Sequence, residues 1–329
     1  LKKQFVAVVL FAVFGATSVF GEEPVRIVAM NRVVQTDTAP IMDQGSLYVP
    51  IRAVAESLGA KVEWNAKTQT ATVRKWSVTL RLAVGKKSAT VEGILVPAGV
   101  GNQKAGQMEV NASLKLVNNR VYVPLRLVSE QFGYRVNWDG RTVSIGSPLS
   151  AAQQKTLYEG DLASARKLAA GLSEQARYLQ EPLDVTLEPE VYDHAYLFPE
   201  GEVLRFYSIY GDTVSLVQIQ EDFPVAIWQA HLEHANSVKD FLEENIKDQR
   251  GTAPIIQKPF LYHTWGMSGV LYWEEYARVG LDHTFTKTGY KGSNDGKVSE
   301  SGLTKLELPG EKRVDAGLAK QNPTSIRNK

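Results

Sequence analysis

The feature that most constrains this chain is a repeat. Leu47-Tyr48-Val49-Pro50-Ile51-Arg52 returns as Val121-Tyr122-Val123-Pro124-Leu125-Arg126. Glu56, Gly59, Val62 and Trp64 return as Glu130, Gly133, Val136 and Trp138, all at an offset of 74 residues. After the tryptophans the offset falls to 72, with Thr70–Val73 matching Thr142–Ile145. A two-residue deletion in a turn produces that change. Self-similarity over such a length marks a supersecondary unit used twice.

Each copy predicts the same unit. A short strand ends at Pro50 or Pro124, and proline suits the first helical turn, where its missing N–H costs nothing. Ile51, Val54, Ala55 and Leu58 then follow the spacing of a helix with one buried face, as do Leu125, Val128 and Phe132. Gly59 and Gly133 suit the left-handed position just past a helix end. Val62 with Trp64, and Val136 with Trp138, alternate as strands do. Helices of two turns do not persist alone, so each needs a sheet to cover, which predicts an α+β fold. Residues 25–45 are expected to supply the leading strands of the first copy and 89–119 those of the second. Arg52 and Glu56, and Arg126 and Glu130, are spaced to bridge along their helices. The arginines are expected to be structural, each tying its helix to a neighbouring strand or turn. The tryptophans are expected to be core or half-buried. A ligand-binding arginine and a sugar-stacking indole are the functional alternatives.

These motifs resemble the copper amine oxidase-like N-terminal domain, or stalk domain. Its pattern is a turn, aromatic-Val-Pro-Leu-Arg, a helical Glu, Leu-Gly and a Val-x-Trp strand. The second copy carries it as Asn119-Arg120 at the turn, Tyr122-Val123-Pro124-Leu125-Arg126, Glu130, Phe132-Gly133 and Val136-Asn137-Trp138; the first has Gln44-Gly45 at the turn. The resemblance covers residues 25–147 and implies a small α+β scaffold in an exported protein of Gram-positive bacteria. It implies no oxidase chemistry, because the cofactor-forming tyrosine motif is missing; Tyr192-Asp193-His194 has the wrong order. No cofactor is expected.

The N-terminus points to export. Lys2-Lys3, the apolar run Phe5–Phe14 and the small residues before Glu22 have the order of a secretory signal, with cleavage expected after Gly21. That run is too short for a membrane span of about 20 residues, so no stable span is expected once the signal is removed. With no cysteine, the chain has neither disulfides nor thiolate metal sites. Without Lys2 and Lys3, 35 basic residues face 36 acidic ones, so no broad basic surface for nucleic acid is expected.

The expected organisation is a signal peptide (1–21), a duplicated stalk-type module (22–148), a helical connector (149–182), a separate α+β domain (183–285) and a flexible polar tail (286–329). Ser150 and Gln153 have the spacing of a capping box, and Gly160-Asp161 breaks or recaps the helix. Ala165, Leu168, Ala169, Leu172, Ala176 and Leu179 form a stripe expected to pack on the C-terminal domain. Gly211-Asp212 predicts a hairpin between 203–210 and 213–219. A helix capped at Ser237 or Asp240 is expected to bury Val238, Phe241, Leu242 and Ile246. Residues 270–278 fit helix or strand. The tail assignment rests on a breaker cluster at 289–296, few apolar residues, and nine basic against five acidic residues from Thr286 onward.

Three functions follow as expectations. The first is an exported, non-catalytic accessory or binding protein, secreted or held at the cell envelope through a cell-wall polymer or an envelope protein. The second is an envelope hydrolase whose candidate groups are His231, His234, His263, Glu274 and Glu275, with zinc as an option. His231-Leu232-Glu233-His234 is not a metalloprotease signature, so no metal is assigned. The third is a structural component of a spore or surface layer.

Overall fold

The computed structural model describes residues 25–94, 106–111, 114–189 and 192–316; the expected signal peptide lies outside them. The chain is α+β, with four sheets and five short helices among the described residues.

In the first half, β1 (Arg26–Ala29) and β2 (Arg32–Val33) form a hairpin. A second hairpin, β3 (Ile41–Asp43) and β4 (Ser46–Pro50), leads into α1 (Ile51–Ser57). An antiparallel meander follows: β5 (Lys61–Asn65), β6 (Thr70–Lys75), β7 (Val78–Ala83), β8 (Ser88–Ile94) and β9 (Gly106–Asn111). The hairpin of β10 (Lys115–Val117) and β11 (Arg120–Pro124) leads into α2 (Leu125–Gln131), then β12 (Arg135–Trp138) and β13 (Thr142–Gly146). Strands β4 and β11 pair antiparallel, with Val49 opposite Val123, Pro50 opposite Tyr122 and Tyr48 opposite Pro124. The two Tyr-Val-Pro segments thus face each other about the Val49–Val123 pair.

The helix ends follow from local chemistry. Pro50 and Pro124 are the N-caps, at φ −56° and −60°. This is one position earlier than expected, because ψ of 119° at both keeps them extended as the last strand residues. Gly59 and Gly133 take left-handed φ of 71° and 87°. Their N–H groups bond Glu56 and Glu130 carbonyls, and those of Ala60 and Tyr134 reach back to Ala55 and Ser129, closing both helices as a Schellman end does. The hairpin turns are Gln44-Gly45 and Asn118-Asn119, all four residues at positive φ, as two-residue hairpins require. The second turn therefore lies one residue before Asn119-Arg120, and Arg120 opens β11.

The leading strands are only partly where the repeat suggested: β3 pairs with β4 and β10 with β11 as expected, but β1, β8 and β9 do not follow it. β1 pairs in parallel with β13, Ile27 opposite Val143, so it joins the sheet of the second copy. β8 and β9 extend the sheet of the first. The reason is geometric: β12–β13 needs a third strand as β5–β6 has β7, and the start of the chain supplies it. One continuous core from Ile27 to Ile145 results, containing Val54 and Val128 at 0% exposure. The two arginines also depart from expectation. Arg52 and Arg126 lie exposed, 3.8 and 3.7 Å from Glu56 and Glu130, and bridge along their own helices without tying them to a strand. Trp64 is half-buried against the core, but Trp138 is 46% exposed, although both lie on outermost strands.

The second half begins with α3 (Ala151–Glu159) and α4 (Leu162–Ser173). Ser150 and Gln153 form the capping box, and Asp161 caps α4. One large sheet follows: β14 (Arg177–Tyr178), β15 (Tyr192–Pro199), β16 (Arg205–Tyr210), β17 (Thr213–Gln220), β18 (Phe223–Leu232), β19 (Ile246–Arg250), β20 (Phe260–Ser268), β21 (Leu271–Val279), β22 (Phe285–Asn294) and β23 (Lys297–Gly302), with α5 (Val238–Leu242) between β18 and β19. Alternation gives the sheet two buried faces. Tyr196 and Phe198 pack with Leu157, Leu162, Ala165 and Ala169 of the helix pair, while Ala195 and Leu197 join Phe241 and Leu242 of α5.

Several sequence boundaries move. Residues 149–173 pack on the sheet and belong to the C-terminal body. α4 ends at Ser173, so Ala176 and Leu179 leave the stripe, and Leu179 is exposed. Ile246 opens β19, and residues 270–278 resolve as strand.

The tail assignment is overturned as far as residue 316. β22 and β23 complete the sheet, and Leu306 and Leu308 are buried. Arg166 is fully buried. Its guanidinium makes a two-pronged contact with Glu311, at 2.8 and 2.6 Å, and donates to the carbonyls of Glu202, Leu306 and Pro199. Asp315 accepts from the N–H groups of Val203 and Leu204 at 2.6 and 2.7 Å. Strand pairing orders β22 and β23, and charge pairing, invisible to a hydrophobicity count, holds the stretch around Glu311 and Asp315. Residues 317–329 lie outside the described ones.

A β-hairpin joins the two halves. The β17–β18 turn is Glu221-Asp222, both left-handed at φ 50° and 70°, a conformation that costs a non-glycine residue about 1 kcal/mol or more. Glu221 accepts from Lys75 Nζ at 3.0 Å and from the Tyr134 hydroxyl at 3.1 Å. Lys75 also donates to Tyr134 at 2.8 Å and to the Leu58 carbonyl. Burial lowers the Lys75 pKa, and the Glu221 carboxylate opposes that shift. Asp222 accepts from Gln154 and Tyr158 of α3 at 2.6 and 2.5 Å. Behind the turn, Phe223 meets Trp76 and Tyr134 at ring distances of 4.9 and 5.0 Å and enters the core of the first half with Val225.

Candidate functional site

The face of the large sheet that carries α3 and α4 extends beyond them, and the strand registers decide what it presents. Tyr196 lies opposite His263, and His263 opposite Tyr276; His194 lies opposite Trp265, and Trp265 opposite Glu274. These side chains share one face because alternate residues do. Glu274 is the centre. It accepts from the Tyr272 and Tyr276 hydroxyls and stands 3.4 Å from His263 Nε2. The histidine contact leads in pulling the Glu274 carboxyl down to about 2, and the two phenols add to it against the effect of burial. Tyr272 and Tyr276 move the opposite way, through burial first and then the Glu274 charge.

His194 is buried, stacked on Tyr196 at 4.6 Å, with Nε2 2.7 Å from Ser208 Oγ. Desolvation, reinforced by His263, lowers its pKa to about 4, so it is neutral near pH 7. Nearer the open end, Tyr192 contacts Tyr210 at 5.7 Å and Trp265 at 5.2 Å, and all three rings are half-buried.

The arrangement limits the chemistry available. A carboxylate held by two phenols and facing an imidazole, ionised down to about pH 2, is a poor proton donor at neutral pH. The network ties β15, β20 and β21 together.

Of the hydrolase candidates, the fold brings together only His263 and Glu274. Glu275 points to the other face and pairs with Lys287 at 3.1 Å. His231 lies in β18, its Nδ1 2.6 Å from Asp248 and its Nε2 2.7 Å from the Asp184 carbonyl. His234 follows the strand, exposed, 2.8 Å from Asp240. Among the described residues no group of three His, Cys, Asp or Glu side chains is arranged to hold a metal ion.

Sequence reasoning missed Lys75, Tyr134, Glu221 and Asp222 at the joint, and Arg166 with Glu311. The acidic pair between two apolar runs could have been read as a turn; nothing in the sequence named its partners.

With the first-half geometry in view, the match to known proteins is direct. Residues 28–146 match the copper amine oxidase N-terminal domain. That domain therefore spans β1 to β13, including the strand that closes the second sheet. A relative from Brevibacillus choshinensis, named a protease inhibitor, is 32% identical over 126 residues, covering 37% of this chain and 35% of its own length. The chain thus spans about a third of that relative. No solved structure is significantly similar to the chain.

Proposed function

We propose that this protein is an exported, non-catalytic accessory or binding protein of the cell envelope. In this reading the copper amine oxidase N-terminal domain is one strand-helix-strand unit used twice, and it serves as a scaffold. The observation that carries the reading is the joint. The acidic turn Glu221-Asp222 is held by the scaffold on one side and by α3 on the other, so the large sheet is presented at a fixed orientation. The relative named a protease inhibitor supports a role in binding, since inhibitors act by contact. Glu274, already accepting from the Tyr272 and Tyr276 hydroxyls, is held as an ionised acceptor, which argues against a proton-donating role in the hydrolase alternative.

Incubation of the purified protein with washed cells and with isolated cell wall, at physiological salt, tests the reading. Retention on either is expected. Recovery of all the protein in the unbound fraction would contradict it.

A further inference from the structure

We infer that Tyr192, Tyr210 and Trp265 form an aromatic cup for a quaternary ammonium group. The inference goes beyond the envelope reading and does not depend on it. The three residues sit on neighbouring strands, Tyr210 on β16, Tyr192 on β15 and Trp265 on β20, and the registers put them on one face of the sheet. Tyr192 is the middle wall. Its ring centroid is 5.7 Å from that of Tyr210 and 5.2 Å from that of Trp265, and both neighbours are inclined 51° to its plane. Whatever the angle between those two contacts, some point lies within about 6 Å of all three centroids, the distance over which a ring face attracts a cation. One small cation is therefore within reach of all three rings, and each ring is only half-buried.

The surroundings are negative. Glu174 is the C-cap of α4, and Glu188 accepts from the Tyr210 hydroxyl at 3.3 Å; both are exposed. Burial and then the Glu174 charge raise the Tyr192 pKa, and burial and then Glu188 push that of Tyr210 up to about 12. The carboxyl end of α4 adds to the same negative potential. No internal cation answers it. Lysines lie over other rings, Lys75 over Trp76 at 4.4 Å and Lys115 over Tyr48 at 4.5 Å. Among the described residues none lies over these three rings, and Glu174 and Glu188 make no ion pair. His194, 5.8 Å from Tyr210, is neutral near pH 7.

Those features select the ligand. A metal ion needs converging ligand atoms, and the described residues offer no such group. A bare ammonium holds water through its three donors and prefers a carboxylate to a ring. A quaternary ammonium spreads its charge over methyl groups and is weakly hydrated. It needs no hydrogen-bond acceptor, and aromatic faces within a negative field supply both the apolar contact and the attraction.

The test is titration of the intact protein with choline, with its uncharged isostere carrying a tert-butyl group in place of trimethylammonium, and with sodium chloride. Ligand-observed NMR of the methyl signal reads affinity, and the Trp265 indole N–H signal reads place. Choline is expected to shift that indole signal saturably, to bind about tenfold or more tightly than the isostere, and to lose about tenfold in Tyr210→Leu and in Trp265→Leu. An isostere that binds as well as choline would overturn the inference, leaving only an apolar surface. An indole signal that moves no further with choline than with sodium chloride would overturn it too. Both comparisons use unsubstituted protein, so they decide the matter even where a variant fails to fold. Phosphatidylcholine vesicles separate two sources of the group: co-sedimentation assigns it to a lipid headgroup, and choline binding without co-sedimentation to a free small molecule, and either upholds the cup. Retention at the envelope without a choline response would remove the cup alone; a choline response without retention would remove the envelope reading alone.

Discussion

The two halves of this molecule hold themselves together by different means. The N-terminal scaffold has an aliphatic core of Val, Ile, Leu and Ala, with Phe132 and Tyr134 as aromatic members of its own and Phe223 lent by the large sheet. The large sheet buries aromatic residues and charged ones together, with Arg166, Asp222, Asp240 and Asp315 all under 9% exposed. An aliphatic core tolerates volume-conserving exchange. A buried ion pair demands its partner, because either charge alone is left in a medium that solvates it poorly. Away from Lys75, itself buried at the joint, the scaffold should therefore be the tolerant half and the sheet the exacting one.

The largest effect that could break this contrast is at Arg166. Replacing it with alanine leaves Glu311 buried and unpaired, and is expected to cost about 3–5 kcal/mol. Denaturant titration measures the loss, and amide exchange should show residues 303–316 losing protection first. A variant within about 0.5 kcal/mol of wild type, as for an ordinary surface change, would remove the distinction.

Next is Glu221→Ala at the joint. It strands the Lys75 ammonium and one bond of Tyr134, with an expected loss of about 1–3 kcal/mol. Thermal unfolding would read it, and the two halves should then melt less coincidently than in the wild type.

Acid sharpens the comparison further. His194 has a folded pKa of about 4, below its ordinary 6.5. The unfolded chain therefore takes up this proton first, and stability falls as pH drops from 6.5 towards 4. Glu274, at about 2 in place of 4.5, adds a second loss between pH 4.5 and 2. Both groups lie on the large sheet. His194→Gln should flatten the first decline when unfolding is followed across that range; an unchanged slope would assign the decline elsewhere.

The smallest effect is expected on the scaffold surface. Removing the Arg126–Glu130 bridge should change stability by less than about 0.5 kcal/mol. A larger loss in chemical denaturation would restore the tying role that the sequence suggested for that arginine.

The same contrast explains what was legible in the sequence. The scaffold could be read because its information is local and repeated: a proline that ends a strand, an apolar stripe of two turns, a glycine at the left-handed position. Even there the partner of β1 was missed, since strand pairing between distant segments leaves no local trace. In the second half, capping at Ser150 and the hairpin at Gly211-Asp212 were visible, again as local signals. The order of residues 286–316 was not, because it depends on β22 and β23 pairing onto β21 and on Arg166 meeting Glu311 across 145 positions. The pairing of His263 with Glu274 depends likewise on strand register, whereas His231 and His234, close in sequence, have separate partners.

The central claim is that the acidic turn fixes the scaffold against the large sheet. The chain contains no cysteine, so Met42→Cys and Val298→Cys, at positions 56% and 67% exposed, would carry two unique spin labels, one on each half. Pulsed electron resonance between them should give a single narrow distance distribution that broadens when Glu221 and Asp222 are both replaced by glycine. A broad distribution in the otherwise unaltered protein would contradict the account.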